Sequence, residues 1–563
     1  MTPHPVRFTG LTALAAILLA LAAYWVALGS DHAATNGDEL LYAQITQATA
    51  ATGHWLPLQS LVERHRNTKP PALFWQGIVS TDWAKNWNLW NLRYPNVLYT
   101  LAIAVLVFLL AGQLGRDAST GLIAALAFLC FFGTYRYGRV FLTSAPETFW
   151  LFLPFALLLF RRDPYRCIGW VWSLLFGLMF GAALLYKSFA LAAPAMAGLA
   201  WWTLHLRGYH LIPWMKRDVW QVALTGLVSL GVFSLWYWFD PQRHLILDDF
   251  ILDENVGKFD PKGGNYFLNL IWGESSIWRN VISYPLNAGL LAPAVIAVMV
   301  LAFLRRRHMP LPGQLLWIWI ITVFVVFTLP NQRDERYLLP AMPALAVLTG
   351  LFWTQIPRWI LGITLVAVAV ITLGMGLGAA LLTNLVAGGS LYPYYYWVLI
   401  GGTIAVACAG LVRLDRTHML ACPAILLLYL CYAGFLIPFE GPRGQYDAAA
   451  QAFAEGKTLA VPINHGAREE IYRFMLPPCD LQPYKQKPHV DLAYLKERHP
   501  IFIISMPLTD TSVEEDPSLR LLGQRLNLVD RFRPHETADM LRGNVTRHLF
   551  KKDLLVERVD SEN

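Results

Sequence analysis

Apolar stretches of about 20 residues recur through the first three quarters of the chain, and short polar segments separate them. The hydrocarbon core of a bilayer is about 30 Å thick, which a helix of roughly 20 residues crosses. Backbone inside lipid must satisfy its own hydrogen bonds, and runs this long favour helices over barrel strands. The pattern predicts thirteen spans, over residues 8–29, 96–115, 119–135, 140–160, 169–186, 188–205, 219–239, 284–304, 313–330, 337–354, 359–383, 394–412 and 419–437. We therefore expect an α-helical polytopic membrane domain over residues 1–437.

The hydrophobic pattern changes at about Glu440. Short apolar runs beyond this point predict buried strands, and neighbouring segments with helical spacing predict helices. The predicted strands are 458–463 and 500–505, and the predicted helices are 466–475 and 535–542. We expect residues 438–563 to form a small α/β domain that docks on the membrane domain.

Basic residues are concentrated in alternate loops between the spans. With a cytoplasmic N-terminus, every loop predicted to face inward carries arginine or lysine, as the positive-inside rule requires. These residues are Arg116, Arg161, Arg162, Arg166, Arg207, Lys216, Arg217, Arg305, Arg306, Arg307, Arg358, Arg413 and Arg416. An odd number of spans then places the tail after Pro438 outside. The pattern is typical of a multi-pass protein of the bacterial inner membrane with a periplasmic C-terminal domain.

Composition supports the membrane assignment and excludes other classes. Charged residues make up 15% of the chain and hydrophobic residues 56%, which is unlike an average soluble domain. The net charge of +7 arises largely in the loops that set topology, so it does not indicate nucleic-acid binding. The six cysteines show no zinc-site spacing, and most lie in or beside apolar runs. We predict no metal site from them.

Two long polar loops, 30–95 and 240–284, lie on the predicted outer side. Polar loops of this length between spans are uncommon and often functional. The first begins just after the first span and contains the adjacent carboxylates Asp38 and Glu39. A carboxylate there could remove a proton from an acceptor. The alternative is a solvated acidic pair that caps a helix.

Cations from several outward segments suit the recognition of a lipid phosphate. They are Lys69, Lys187, Lys258, Arg333 and Arg336. Arginine grips phosphate with a two-pronged guanidinium, whereas lysine acts as a point charge. Lys187 stands between two apolar runs, where an ionisable residue usually has a function. Snorkelling of its side chain to the headgroups would explain the same position.

The order of these motifs resembles the GT-C membrane glycosyltransferases, in particular their protein O-mannosyltransferase and lipid A aminoarabinose transferase (ArnT-like) branch. The resemblance rests on Gly-Asp-Glu at 37–39, Lys-Pro-Pro at 69–71, Tyr-Lys-Ser-Phe at 186–189, the segment 253–259 and Arg-Tyr-Leu-Leu-Pro at 336–340. It covers roughly residues 1–350. The thirteen predicted spans and the outward C-terminal domain are also similar to this branch.

The resemblance implies transfer of a sugar, with inversion, from a polyprenyl-monophosphate donor to a lipid, polysaccharide or protein acceptor on the periplasmic face. It makes Asp38 the principal carboxylate, with Glu39 beside it. The implied donor-phosphate residues are Lys69, Lys187, Lys258, Arg336 and Tyr337. Fixed cations can neutralise a phosphate leaving group, so the chemistry requires no metal cofactor.

The sequence departs from the branch at two carboxylates. Thr68 precedes the Lys-Pro motif where relatives often have Glu, and Ser144 or Ala145 stands where many have Asp. Glu147, one helical turn further on, is a candidate replacement and a third candidate catalytic carboxylate. These departures leave the identity of the sugar open. Because Asp38 is present, the sugar transfer that the resemblance implies is still expected.

Two other functions are compatible with many spans and outward cations. A transporter or flippase of a lipid-linked sugar would place its site near the bilayer midplane, often between inverted repeats. A non-catalytic scaffold would use the C-terminal domain to bind partners. The polar residues gather on one side of the membrane and no repeat is visible, which favours an enzyme at the outer face.

Overall fold

The computed structural model describes residues 8–32, 37–61, 66–161, 168–255, 266–273, 276–386, 389–463, 468–485, 492–529, 532 and 534–559. Within these residues, ten helices are long and apolar enough to cross a membrane, or eleven if one bent pair is a single span. Two shorter apolar helices, Gly10–Trp25 and Ser144–Phe160, fall on two other predicted runs. The chain is thus a helical multi-pass membrane protein with a small C-terminal sheet.

The membrane domain is built from α-helices with short 3₁₀ segments between them. Its α-helices are Gly10–Trp25, Gly37–Ala51, Ala72–Ser80, Leu89–Gly115, Ala118–Cys130, Phe132–Gly138, Ser144–Phe160, Gly169–Tyr186, Ala192–Leu206, Leu211–Arg217, Val219–Phe239, Arg243–Leu245, Tyr266–Trp272, Ile277–Ala288, Ala292–Leu304, Leu311–Thr328, Met342–Phe352, Arg358–Leu385, Tyr394–Val412, Thr417–Phe435 and Ile437–Glu440. The 3₁₀ segments are Phe189–Leu191, Gly289–Leu291, Arg306–His308, Glu335–Ala341 and Trp353–Gln355, and Ile246–Asn255 is a π-helix.

Two predicted spans are interrupted in the structure. The run 119–135 is a pair of helices bent by 64° at Phe131, whose backbone is extended. The predicted span 284–304 is broken at Gly289, which has φ of +59°. Only glycine adopts this conformation at little cost, so the helix ends there and a new one begins at Ala292. Hydrophobicity alone did not reveal either break.

The C-terminal domain contains a five-stranded mixed sheet. Its strands are β1 Thr458–Ile463, β2 Asp480–Lys485, β3 Ile501–Pro507, β4 Leu519–Leu528 and β5 Phe550–Arg558, in the order β2-β1-β3-β5-β4. The pairs β1–β2 and β1–β3 are parallel, whereas β5 runs antiparallel to β3 and β4. The helical segments are Pro442–Gly444, Ala448–Ala454, Arg468–Phe474, Leu492–Arg498, Pro534–Leu541 and Val545–Leu549. Of the two predicted helices, the first is a 3₁₀ segment.

Both faces of this sheet are covered. Leu555 belongs to one apolar cluster, whereas its neighbours Leu554 and Val556 belong to another. This is the two-residue alternation of a strand that is buried on both sides. Phe550, at the start of β5, lies with its ring 6.1 Å from that of Phe439 at the end of the membrane domain. The small domain therefore packs directly on the helices.

The helix that ends at Tyr186 packs tightly on the helix Val219–Phe239 through small residues. Gly177 and Gly181, four residues apart, face Val228 and Val232, and a Cβ on Gly181 would lie 2.6 Å from the Cβ of Val232. Small residues at this spacing let membrane helices approach closely. The contact fixes the helix that carries Lys187 at its end.

Gly181→Ala is predicted to lower the free energy of unfolding by about 1–3 kcal/mol, because the new methyl overlaps Val232. Gly231→Ala is the matched control, since it is also a helical glycine but has open space around it. That control should be neutral or stabilising by up to about 1 kcal/mol. Thermal unfolding in detergent measures both changes. Equal effects of the two substitutions would contradict the close packing.

Candidate active site

A cavity of about 560 Å³ opens where the first-loop helix Gly37–Ala51, the turn at Lys187 and the 3₁₀ segment Glu335–Ala341 meet. These elements are far apart in the sequence. Its lining includes five of the residues that the motifs predict for the site, namely Asp38, Lys69, Lys187, Arg336 and Tyr337. Apolar side chains, among them Phe250 and Phe327, complete the wall.

Asp38 and Arg336 form an ion pair at the cavity wall. The Arg336 guanidinium donates through Nη1 to an Asp38 carboxylate oxygen at 2.8 Å. The Arg336 Nε also lies 3.3 Å from Asp334, which caps the 3₁₀ segment. Arg336 is held on its own segment by Asp334, whereas the Asp38 side chain remains 44% exposed. Asp38 is the only carboxylate among the described residues that line the cavity.

Lys187 and Glu147 form a second ion pair, in which the Glu147 side chain is fully buried. The Lys187 ammonium donates to Glu147 at 2.7 Å, and the two side chains are 15% and 0% exposed. Thr143 donates its hydroxyl to the other Glu147 oxygen at 3.2 Å. The ammonium also lies 5.0 Å from the ring centre of Tyr337, within range of a cation–π contact. Glu147 therefore stands behind Lys187, away from the cavity surface.

Lys69 brings a third cation to the same cavity. Its ammonium donates to the carbonyl oxygen of Thr68 at 2.7 Å. Lys69 comes from the first long loop, and Lys187 and Arg336 come from two other segments. Lys258 lies outside the described residues. The structure thus brings together three of the five cations predicted for a lipid phosphate. Arg333 is not in this lining, and its side chain donates to the carbonyl oxygen of Thr328.

Glu39 points away from the cavity although it is adjacent to Asp38. Its carboxylate accepts from Arg93 Nε and Nη2 at 2.7 and 2.8 Å, and from the backbone N–H of Phe141 at 2.8 Å. Both Glu39 and Arg93 are almost fully buried. Successive helical side chains point about 100° apart, so one carboxylate faces the cavity and the next faces the core. The predicted catalytic set is therefore divided, with Asp38 alone at the cavity.

Arg93 was not among the predicted site residues, although a signal for it exists in the sequence. It lies at the start of the long helix Leu89–Gly115, just before an apolar run, and also donates to the carbonyl oxygens of Leu28 and Ser30. A buried arginine beside a membrane span requires a partner. Either Asp38 or Glu39 could be that partner, and the sequence does not distinguish between them.

A second, mostly apolar groove of about 1060 Å³ has Tyr186 in its wall. Trp75, Leu98 and Phe149 are among its walls, and Tyr186 precedes the cavity residue Lys187. The Tyr186 hydroxyl donates to the side chain of Gln76 at 3.1 Å. The groove and the polar cavity therefore share one short segment of chain.

One group of the described residues has donor atoms that could hold a metal ion. Asp31, His32 and Glu440 present ligand atoms within 4.8 Å of one another. They lie at the junction with the C-terminal domain and do not line the cavity. The cavity offers one carboxylate and three cationic side chains, a set suited to an anion.

Comparison with known proteins finds similarity to membrane glycosyltransferases. Residues 8–247 match the family described as dolichyl-phosphate-mannose-protein mannosyltransferase (PMT). The chain is 27% identical over 351 residues to the undecaprenyl phosphate-alpha-4-amino-4-deoxy-L-arabinose arabinosyl transferase of Pseudomonas paraeruginosa, covering 59% of this chain and 58% of that protein. It is 26% identical over 428 residues to such a transferase from Sodalis glossinidius, covering 71% of each. The chain spans under two thirds of the length of the Pseudomonas relatives.

The fold of the whole chain is also similar to a solved structure. Superposition on apo ArnT from Cupriavidus metallidurans gives a TM-score of 0.59 at 16% identity, covering 96% of this chain and 97% of that one. The same ArnT bound to undecaprenyl phosphate gives 0.58. The chain therefore has the fold of ArnT and is similar in sequence to the PMT family over residues 8–247 and to the arabinosyl transferases.

The Lys187–Glu147 pair predicts strong energetic coupling. Lys187→Met should cost on the order of 3 kcal/mol of stability, because it leaves Glu147 charged and without its cation inside the protein. Adding Glu147→Gln should recover much of that loss. A double-mutant cycle on thermal unfolding measures the coupling.

The exposed pair Asp82–Lys85, at 3.4 Å, is the matched control. Its coupling should stay below about 1 kcal/mol, as for other surface pairs. Coupling of the Lys187–Glu147 pair no larger than that of the control would show that the buried carboxylate does not depend on the lysine.

Proposed function

We propose that this chain transfers a sugar from a polyprenyl-monophosphate donor to an acceptor in the cavity that Asp38, Lys69, Lys187 and Arg336 line. The observation that carries the proposal is the meeting of one carboxylate with three cations from separate segments. The similar transferases are named for undecaprenyl phosphate-linked aminoarabinose, which supports a donor of this class. The Cupriavidus protein of the same fold was crystallised with undecaprenyl phosphate.

The cations would hold the donor phosphate. Arg336 can offer a two-pronged guanidinium, while Lys69 and Lys187 supply point charges. Their combined charge would stabilise the phosphate as it leaves the sugar, which is the part a metal ion plays elsewhere. Apolar residues of the same wall, such as Phe250 and Leu191, offer a surface to the first isoprene units. Lys258 stays a candidate from the sequence alone.

Asp38 would act as the general base. It pairs with Arg336 in this structure, and a phosphate bound to Arg336 would compete for the guanidinium. Asp38 would then accept a proton from the acceptor hydroxyl or amine as that group attacks the anomeric carbon. Attack opposite the departing phosphate inverts the configuration at that carbon. The new glycosidic bond and the free polyprenyl phosphate are the products.

Glu39 and Glu147 would act by positioning. Glu147 fixes the Lys187 ammonium at the wall, at 2.7 Å. Glu39 anchors the first turn of the Asp38 helix to Arg93. Tyr337 packs its ring on the Lys187 side chain. None of the three needs to touch the reacting atoms for these roles.

The acceptor is proposed to be a lipid. The apolar groove beside Tyr186 is bounded by membrane helices, including Leu89–Gly115 and Gly169–Tyr186. A hydrocarbon chain in this groove would bring its polar headgroup to the cavity at Lys187. A protein acceptor would have no hydrocarbon chain to occupy this apolar groove.

The cavity is proposed to face the periplasm of a bacterial inner membrane, with the N-terminus in the cytoplasm. Basic residues support this orientation. Lys216 and Arg217 end one exposed helix, and Arg305 to Arg307 follow another span. Loops rich in arginine and lysine remain on the cytoplasmic side.

Asp38→Asn is predicted to fold and to lose at least about 100-fold in transfer rate, because the amide cannot accept the proton. The assay supplies polyprenyl-phosphate sugar and a bacterial lipid extract, and follows sugar in the lipid product by thin-layer chromatography. Asp82→Asn makes the same chemical change at an exposed position of the same loop, and it should keep the wild-type rate. A wild-type rate in Asp38→Asn would remove Asp38 from catalysis.

A further inference from the structure

A chain of hydrogen bonds begins at the buried Asn96 and runs beside the candidate active site. Asn96 lies in the helix Leu89–Gly115 and is fully buried. Its amide nitrogen donates to the backbone carbonyl oxygens of Val140 and Leu142, the second at 2.7 Å. Both amide protons are therefore used on the backbone, and the Asn96 side-chain oxygen can only accept.

The two backbone carbonyls fix the direction of every bond that follows. The Asn96 oxygen accepts from Gln76 Nε2 at 2.8 Å, which leaves the Gln76 oxygen to accept from the Tyr186 hydroxyl at 3.1 Å. The Tyr186 oxygen lies 3.1 Å from that of Tyr99, and because Tyr186 has used its only proton, Tyr99 is the donor there. Turning over either amide would place oxygen against oxygen. The chain therefore has one order, from Asn96 through Gln76 and Tyr186 to Tyr99.

The backbone end of this chain lies at the wall of the cavity. Leu142 and the two residues after it line the cavity. The first of those two, Thr143, donates to Glu147 at 3.2 Å, and Glu147 accepts from Lys187 at 2.7 Å. Asn96 therefore fixes the segment that contacts the buried carboxylate behind Lys187.

The side-chain end of the chain meets the same lysine. Tyr186 immediately precedes Lys187, at the end of the helix Gly169–Tyr186. The hydroxyl bond to Gln76 ties that helix end to the first-loop helix Ala72–Ser80. The Lys187 backbone has already left the helical conformation, with φ of −131°, so its position depends on how Tyr186 is held.

We infer that Asn96 is a positioning residue that holds the Lys187 ammonium where the donor phosphate binds. It acts through the carbonyls of residues 140 and 142 on one side, and through Gln76 and Tyr186 on the other. Asn96 lines neither the cavity nor the apolar groove, so it acts without touching the donor. The effect on donor binding rests on the proposed function, whereas the hydrogen-bond chain does not.

The KM for the donor, measured at saturating acceptor, tests this role. Tyr186→Phe keeps the ring and removes the one hydroxyl that joins Gln76 to the helix end. Its KM for a polyprenyl-phosphate sugar should rise about three- to tenfold, the range that corresponds to one hydrogen bond, while kcat stays within about twofold. Asn96→Leu removes three bonds and should raise KM at least about tenfold. Loss of folded enzyme would lower the apparent kcat without changing KM, so the split separates positioning from stability.

Two further tyrosines provide the matched comparisons. Tyr237 lies in the membrane helix Val219–Phe239, and its hydroxyl makes no hydrogen bond within the part of the chain that the structure describes. Tyr237→Phe should therefore keep the wild-type KM. Tyr99 is the last member of the chain, so Tyr99→Phe leaves every bond from Asn96 to Tyr186 intact. Its effect on KM should be smaller than that of Tyr186→Phe.

Thermal unfolding tests the chain without an enzyme assay. Once Asn96→Leu has broken the chain, the Tyr186 hydroxyl has less to hold. The two substitutions together should therefore lower the melting temperature by less than the sum of their separate shifts. Asn96→Leu combined with Tyr237→Phe should give the sum. If Asn96→Leu does not fold, Gln76→Leu, which removes the middle member, takes its place in every comparison.

The outcomes separate this inference from the proposed function. A wild-type donor KM in both Asn96→Leu and Tyr186→Phe would overturn the positioning role, and so would a larger effect of Tyr99→Phe than of Tyr186→Phe. Additive melting shifts for Asn96→Leu and Tyr186→Phe would overturn the chain itself. Absence of transfer by the wild type would refute the proposed function and with it the effect on donor binding, whereas melting shifts smaller than the sum would still establish the chain.

Discussion

The ion pair between Lys187 and Glu147 is the interaction on which the candidate site depends. A lysine at the junction of two membrane helices would otherwise have to extend into the headgroups or lose its proton. The fully buried Glu147 carboxylate, 2.7 Å away, keeps the charge at the cavity wall. Because the carboxylate lies behind the ammonium, the face of Lys187 toward the cavity is available to an anion. The helix Gly169–Tyr186, fixed by its glycine contacts, sets the position of the pair.

Pairing with a buried cation also distinguishes Glu39 from Asp38, its neighbour in the first loop. Glu39 is committed to Arg93 and to the backbone of Phe141, which fixes the first-loop helix to the protein core. That anchoring allows its neighbour Asp38 to stay 44% exposed at the cavity without losing its position. Asp38 and Arg336 meet from segments about 300 residues apart in sequence. Two of the cavity charges, Lys187 and Arg336, are thus held by carboxylates from other segments of the chain.

Hydrophobic periodicity predicted the helices well because membrane spans are long and apolar, which is the strongest signal a sequence carries. It missed the breaks at Phe131 and Gly289, since these depend on backbone conformation rather than on polarity. It also missed strand β5, which begins Phe-Lys-Lys-Asp. Its Asp553 is buried with Arg525 as its partner, which no local pattern reveals.

The motifs identified residues that lie at or beside the cavity, but they did not show which side chains face it. Asp38, Lys69, Lys187 and Arg336 lie together, as a shared donor site requires. The side chains of Glu39 and Glu147 turn inward, and only three-dimensional pairing distinguishes them from Asp38. The structural roles of Arg93 and Asn96 depend on contacts across more than 40 residues of chain, which lie beyond sequence spacing.

The central claim is that this cavity binds a polyprenyl monophosphate. Native mass spectrometry of the purified protein, with identification of its lipids, tests it most directly. We expect one bound polyprenyl phosphate or polyprenyl-phosphate sugar in the wild type, and its loss when Arg336 is changed to alanine. A polyprenyl-diphosphate oligosaccharide in its place would contradict the account and favour a flippase. Equal lipid binding with and without Arg336 would place the lipid site elsewhere in the membrane domain.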